Sequence, residues 1–293
     1  MNITNWQCLL IQKIRKGRIM NIFEQPKIDC HCHLFDPVRF PYTEGVPYEP
    51  RGHEIGTVSQ FRQVMDVYGV KHALLVEPNS GYGLNNSCML DAIKTSEGRF
   101  KGIAVVGMNA STEELEALKE SGIVGIAFNT TALGAEYYKE AGDLVKKIES
   151  LDMFLQIQYE RQDLLEIVHT FEDTHVKILI DHCGRPDITG TFDQPAFKKL
   201  LVLGKRENAY IKLSGYMKFS LEAAPYRDTW PYVRALAEAF GSHKCIWGSD
   251  WPFIRAKERV DYGILLSIFK SIFPDEEMRS DMLYHNPARI FGF

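Results

Sequence analysis

One pattern recurs along this chain and limits what it can fold into. From Lys27 onward, a short apolar run ends in polar residues and gives way to a helix-like stretch, eight times over. The runs are Ile28–Phe35, His72–Val76, Gly102–Gly107, Ile123–Phe128, Phe154–Tyr159, Ile178–Ile180, Tyr210–Leu213 and Cys245–Trp247. Several are nearly continuous in Val, Ile, Leu and Ala, as parallel strands covered on both faces are. Between them, Ser111-Thr-Glu-Glu opens with a capping-box signature, and the segments Tyr137–Ser150, Arg161–Thr170, Pro195–Gly204 and Trp230–Phe240 carry helical apolar spacing. Each unit averages about 33 residues, room for a strand, a crossover helix and loops. The alternation predicts an α/β fold, a (β/α)8 barrel with functional residues at the C-terminal ends of its strands. The competing architecture is an open doubly wound sheet. It would want a glycine-rich phosphate loop after an early strand, and neither GxGxxG nor GxxxxGK[ST] occurs.

No composition break divides residues 27–293, which read as one domain, with residues 1–26 as an N-terminal extension outside the core. An apolar stretch precedes a basic one in residues 1–19, the reverse of a secretory signal. Met20 is then read as the biological start, against the alternative of a short amphipathic arm. Hydrophobic residues at 45% and charged residues at 25% are those of an ordinary soluble globular chain. A net charge of −4 supplies no basic field for nucleic acid, and no apolar run reaches a bilayer span. The six cysteines form no CxxC pair, which fits a reducing, cytoplasmic setting. The expected partner is a small molecule; a homo-oligomer is left open.

Polar residues cluster where such a barrel would place its mouth. The first run contains Asp29-Cys30-His31-Cys32-His33, and strand alternation predicts His31 and His33 on one face with Cys30 and Cys32 on the other. Two imidazoles so spaced can hold a metal or jointly polarise one oxygen. Asp181, His182 and Arg185 follow the sixth run, and Asp250 follows the eighth. Alone, each could be a satisfied buried histidine or a turn carboxylate. Four titratable groups at the ends of three strands of one barrel would instead converge. The Pro-, Tyr- and Gly-rich segment 36–56 is long enough to act as a lid.

The segments Ile28-Asp-Cys-His-Cys-His-Leu-Phe-Asp-Pro, Phe40-Pro-Tyr, Gly102-Ile-Ala-Val-Val, Gly125-Ile-Ala-Phe-Asn, Ile180-Asp-His-Cys-Gly-Arg-Pro-Asp, Trp247-Gly-Ser-Asp-Trp-Pro and Asn286-Pro-Ala-Arg occur in order across residues 28–289. This set resembles the amidohydrolase superfamily, and within it the lactone-hydrolysing group of 2-pyrone-4,6-dicarboxylate hydrolases and sugar-acid lactonases. The resemblance implies a hydrolase that opens a small acidic lactone. It implies Asp250 as general base, with His31, His33 and His182 binding and polarising the carbonyl, in the dicarboxylate branch without a metal. Tyr48 matches a substrate-contacting tyrosine. Asn79, Ser80 and Tyr82 are read as lining the pocket or, equally, as a glycine-rich turn. A zinc-dependent decarboxylase is the alternative on the same barrel, and a non-catalytic binder a third reading.

No required metal is expected. A two-metal site wants a bridging Lys or Glu and a further His from the middle strands, where this chain has Ala127-Phe-Asn129 and Gln156-Ile-Gln158. His31, His33, His182 and Asp250 would still suffice for one zinc. The dicarboxylate hydrolases carry basic residues where this chain has Ala127 and Leu133, and an arginine that aligns with Lys218. Arg185 would be the guanidinium left near the mouth, if not paired with Asp187 or Asp181, with Arg51 and Arg255 as replacements from the loops. The expected substrate therefore has one carboxylate, or is a hydroxylated sugar-acid lactone met by Asn129, Gln156 and Gln158.

Overall fold

A computed structural model describes residues 21–293. Eight parallel strands follow one another in sequence order: β1 (Lys27–Cys32), β2 (Val70–Val76), β3 (Phe100–Ala104), β4 (Ile123–Asn129), β5 (Phe154–Gln158), β6 (Lys177–Ile180), β7 (Ala209–Lys212) and β8 (Cys245–Ile246). Each strand is followed by one main helix: α1 (Val58–Val67), α2 (Ser87–Lys94), α3 (Thr112–Glu120), α4 (Gly142–Ser150), α5 (Asp163–Ile167), α6 (Pro195–Leu203), α7 (Trp230–Phe240) and α8 (Tyr262–Ile272). The expected caps form where they arise locally. Thr57 makes a full capping box with Gln60 ahead of α1, and the Ser111 hydroxyl accepts from the Glu114 amide ahead of α3. The stretch expected as one helix over Tyr137–Ser150 is instead a 3-10 turn (Ala135–Tyr138) followed by α4. Tyr138 is buried there, and its hydroxyl accepts from the Asn129 amide at the end of β4. Helix α5 likewise ends early, in a 3-10 turn over Val168–Thr170.

The sheet closes, which rules out the open architecture. The Cys30 amide donates to the Trp247 carbonyl at 3.0 Å, the Asp250 amide to His31 at 2.8 Å, and the His33 amide to Trp251 at 2.8 Å. Regular pairing of β8 stops at Ile246, one residue short of the apolar run, because the chain then turns to run against β1. Gly248 makes that passage feasible: a Cβ there would lie 2.6 Å from the His31 Cβ.

The register of β1 against β2 shifts between Asp29 and Cys32. Alternation therefore fails for one residue. Cys32 packs outward beneath the helices as expected, but Cys30 packs with Ile28, Leu74, Leu179 and Ile246 in the barrel interior. The shift leaves both His31 and His33 inward, above that apolar layer. Phe291, from the C-terminal helix α9 (Asn286–Phe291), plugs the interior from the opposite end. The packed body begins upstream of Lys27, since Ile22 and Gln25 are buried. The reading of residues 1–20 lies outside the described residues. No helix among the described residues is long and apolar enough to cross a membrane, and the five cysteines among them are buried and unpaired.

Candidate active site

A cavity of about 470 Å³ opens at the C-terminal ends of the strands. That size suits a small organic ligand. His33, His182 and Asp250 line it, with Tyr48, Asn79, Ser80, Asn129, Gln156, Gln158, Arg185 and Lys218. His31 is buried directly beneath; of the other residues expected at the site, Tyr82 and Arg51 do not reach this space. The long loop after β1 contributes Pro47 and Tyr48 as part of its wall.

Asp250 sits at the focus. Its Oδ1 lies 3.4 Å from His33 Nε2, 3.6 Å from His182 Nε2 and 3.7 Å from His31 Nε2. Lys218 Nζ is 3.1 Å from Oδ2, close enough for charge attraction, although its aligned hydrogen bond goes to the Ile254 carbonyl at 2.6 Å. Burial pushes the Asp250 carboxyl up, but the Lys218 ammonium and the imidazoles outweigh it and hold the group well below the ordinary carboxylate range. Burial lowers His31 to about 4 and drives His182 well below the usual imidazole value, so both rings are neutral at neutral pH. Asp250 and His182 occupy the left-handed region, at φ +65° and +46°. Two strained non-glycine residues pointing at each other are what a site built for geometry rather than stability contains. Gly215 accommodates His182, because a Cβ there would meet its Nδ1 at 2.5 Å.

Beneath these groups lies a network that the sequence reading missed. Lys212, in β7, is fully buried, with Nζ 3.0 Å from both Asp181 Oδ1 and His31 Nδ1 and a hydrogen bond to Gln156 Oε1. Gln156 Nε2 donates to Asp181 Oδ2 at 2.8 Å. The Gln156 amide expected to meet substrate is thus committed below the pocket. Other expectations shift as well. Tyr82 is packing, stacked on Phe35 with its hydroxyl accepting from the Asp36 amide. Arg185 pairs with Glu160 at 2.8 Å rather than with Asp181 or Asp187, and its buried Nε has no partner among the described residues. Arg51 pairs with Glu49 at the surface, whereas Arg255 reaches the cavity over the Tyr48 ring, whose hydroxyl donates to Glu54.

The ligand-atom spacing suits a tetrahedral zinc, whose donor atoms stand about 3.3 Å apart for metal–nitrogen bonds of about 2.0–2.1 Å. His31, His33 and Asp250 form one such group. Behind these atoms His31 Nδ1 lies 2.9 Å from Asp181 Oδ1 and His33 Nδ1 2.8 Å from the Val76 carbonyl, the kind of partner a ligating histidine has, while Lys212 Nζ lies 3.0 Å from His31 Nδ1.

The amidohydrolase family description matches residues 28–293. The chain belongs to this family. It is 30% identical over 271 residues to a 4-sulfomuconolactone hydrolase of Hydrogenophaga intermedia, covering 90% of this chain and 88% of the relative. It is 29% identical over 277 residues to a 2-pyrone-4,6-dicarboxylate hydrolase of Comamonas testosteroni, covering 90% and 89%. The crystal structure of a probable 2-pyrone-4,6-dicarboxylic acid hydrolase of Acinetobacter baumannii, with citric acid bound, superposes with a TM-score of 0.81 at 30% identity, covering 91% of this chain and 99% of that one. The barrel read from the sequence and the hydrolase family read from its motifs therefore both hold for this amidohydrolase.

Proposed function

We propose that this amidohydrolase opens a small anionic lactone, with Asp250 as general base and no metal. The observation that carries the reading is the Asp250 carboxylate, ionised and buried among three imidazoles at the floor of the cavity. A water beside Oδ1 gives up a proton to it while its oxygen bonds to the lactone carbonyl carbon. The carbonyl oxygen takes the developing charge against imidazole N–H groups, the ring C–O bond then breaks, and the ring oxygen leaves with a proton as the hydroxy acid forms. Lactone hydrolase relatives at about this identity over most of the chain support the substrate class. The unpaired buried cysteines support a cytoplasmic setting. The test is a lactone panel read by proton release and by CO₂ trapping: proton release without CO₂ is expected, and CO₂ evolution would establish the decarboxylase instead.

The walls of the pocket differ in charge. Asn129 Nδ2 donates to Asn79 Oδ1 at 3.1 Å, and Gln158 Nε2 bridges Asn129 and Thr131, so the side made by β2, β4 and β5 offers amides and no cation, its two carboxyl residues being Glu77, which is buried, and Glu160, which pairs with Arg185. Lys218, Arg185, Arg255 and Lys257 stand after β6, β7 and β8. This arrangement holds one anion and meets hydroxyl or carbonyl oxygens at the other end. A charge-assisted hydrogen bond contributes about 1.5–3 kcal/mol. Monocarboxylate or hydroxylated sugar-acid lactones are therefore expected to exceed 2-pyrone-4,6-dicarboxylate in kcat/KM by roughly tenfold or more. Ala127→Arg should narrow that gap. A dicarboxylate that outranks every lactone tried would refute the ranking.

A second expectation concerns pH. A carboxyl held below its ordinary value keeps its ionised form as pH falls, so base activity is present at neutral pH and lost only below the usual carboxylate range. The kcat/KM of a good substrate should stay level from about pH 8 to about pH 5. A loss centred near pH 6 would count against Asp250 as the base.

A further inference from the structure

Four lysine and arginine side chains line the cavity, and they are not equally available to a ligand. Lys218 faces the Asp250 carboxylate at 3.1 Å and donates to the Ile254 carbonyl at 2.6 Å. Arg185 pairs with Glu160 at 2.8 Å. Lys257 is exposed and stands between the cavity and a neighbouring groove along α1. Arg255 differs from all three. Its guanidinium carbon lies 4.8 Å from the centre of the Tyr48 ring, a cation held over an aromatic face, and it forms no ion pair among the described residues.

Glu54 holds this arrangement from behind. Its carboxylate is buried where the long loop after β1 meets the loop after β8. Oε2 accepts from the Tyr48 hydroxyl, and Oε1 accepts from the Arg255 amide at 2.6 Å. One carboxylate thus sets both the ring and the backbone from which the guanidinium reaches over it. Burial pushes the Glu54 carboxyl up, but the two donors outweigh it and hold the group below its ordinary value, so it is ionised at neutral pH. The loop needs an anchor, because Phe253 and Arg255 both occupy the left-handed region, at φ +69° and +55°. The Tyr48 hydroxyl gives its one hydrogen to Glu54, which leaves the ring face, not the hydroxyl, as what Tyr48 contributes.

We infer that Arg255 is the residue that takes the anionic group of the substrate, and that Glu54 is the positioning residue that presents it, by fixing the Tyr48 ring and the loop after β8. The inference rests on the reading of the substrate as an anionic lactone. A guanidinium can offer two parallel N–H donors to a carboxylate from its edge while its face stays on the ring. A side chain held in place beforehand also loses less freedom when the anion arrives. Lys218 stays with Asp250, so the charge that binds the anion is separate from the charge beside the base. Neither Ala127 nor Leu133 supplies a competing cation.

The test compares 2-pyrone-6-carboxylate with its methyl ester, two ligands that share a ring and differ in charge. The readout is the ratio of their KM values, or of their Kd values by titration calorimetry if neither ring is opened. Failure of both to be hydrolysed would count against the proposed function, while the ratio still decides the anion site. Arg255→Met should lower the preference for the acid by on the order of 10–100-fold, as loss of a charge-assisted hydrogen bond does, and Arg255→Lys should recover part of it. Glu54→Leu should lower the same preference by roughly tenfold, the freedom a held side chain keeps from losing. Glu54→Gln, which retains an acceptor, should lower it less, and Glu54→Leu/Arg255→Met no further than Arg255→Met alone. A general loss of structure would weaken acid and ester together. Equal losses on both ligands in Arg255→Met overturn the inference, and so does a wild type that binds the acid no better than the ester. Should Glu54→Leu fail to fold, Tyr48→Leu decides: a reduced preference sustains the positioning role, and an unchanged one refutes it.

Discussion

Asp250→Asn is expected to lower turnover by roughly 10²–10⁴-fold, the usual effect of losing a general base, with KM nearly unchanged. Asparagine makes this substitution clean for two physical reasons. It is nearly isosteric with aspartate, so the cluster of His31, His33 and His182 keeps its shape. It also tolerates the left-handed backbone that Asp250 adopts at φ +65°, where alanine would add strain to the loss of chemistry. What disappears is the lone-pair oxygen that takes the proton of water, together with the charge that Lys218 faces at 3.1 Å. Binding should survive, because the cationic wall and the amide wall are untouched. The measurement is steady-state kinetics on the best lactone of the panel, alongside circular dichroism of both proteins. A folded Asn variant within tenfold of wild-type kcat would remove Asp250 from the mechanism.

What could be read from the chain, and what could not, follows from which interactions are local. The eight strands were legible because a strand covered on both faces has to be largely apolar, as Ile123–Phe128 is. His31, His33, His182 and Asp250 were legible because titratable groups at the ends of three strands of one barrel converge, whereas each alone has an ordinary structural explanation. Lys212 left a signal too: a lysine between Ile211 and Leu213, inside a run that should exclude charge. It was passed over because its three partners lie on three other strands, and no spacing in the sequence connects them. The β1 register shift is equally silent. Period-two alternation correctly pairs His31 with His33, yet it puts Cys30 on the wrong side of the sheet, since one irregular residue reverses the parity. Arg185 shows the same limit for charges. Three acidic residues lay within reach in the sequence or the fold, and only packing decides that Glu160 takes it.

Asp29 stands in the same stretch as the two histidines, and its role is to close the barrel. The carboxylate accepts from the Ser249 amide at 2.9 Å, the Ser249 hydroxyl at 2.6 Å, the Tyr262 hydroxyl at 2.9 Å and the His31 amide at 3.2 Å. It therefore ties β1 to the chain leaving β8 and to helix α8, one residue away from Asp250 on one side and two from His31 on the other. Asp29→Ala should destabilise the fold by about 3–5 kcal/mol, because it leaves several buried donors without an acceptor at once. Asp29→Asn retains one acceptor oxygen and should be milder by about 1–2 kcal/mol. Burial pushes the Asp29 carboxyl up despite its four donors, so part of what the carboxylate gains from them is already offset by desolvation. The asparagine variant forfeits less than the bond count implies. Both substitutions should also reduce kcat in folded protein, since the Asp250 amide donates to the His31 carbonyl across the seam that Asp29 anchors. Urea unfolding of the three proteins, with kcat measured below the transition, separates the two effects. An alanine variant within about 1 kcal/mol of wild type would mean that the seam is held by its backbone bonds alone.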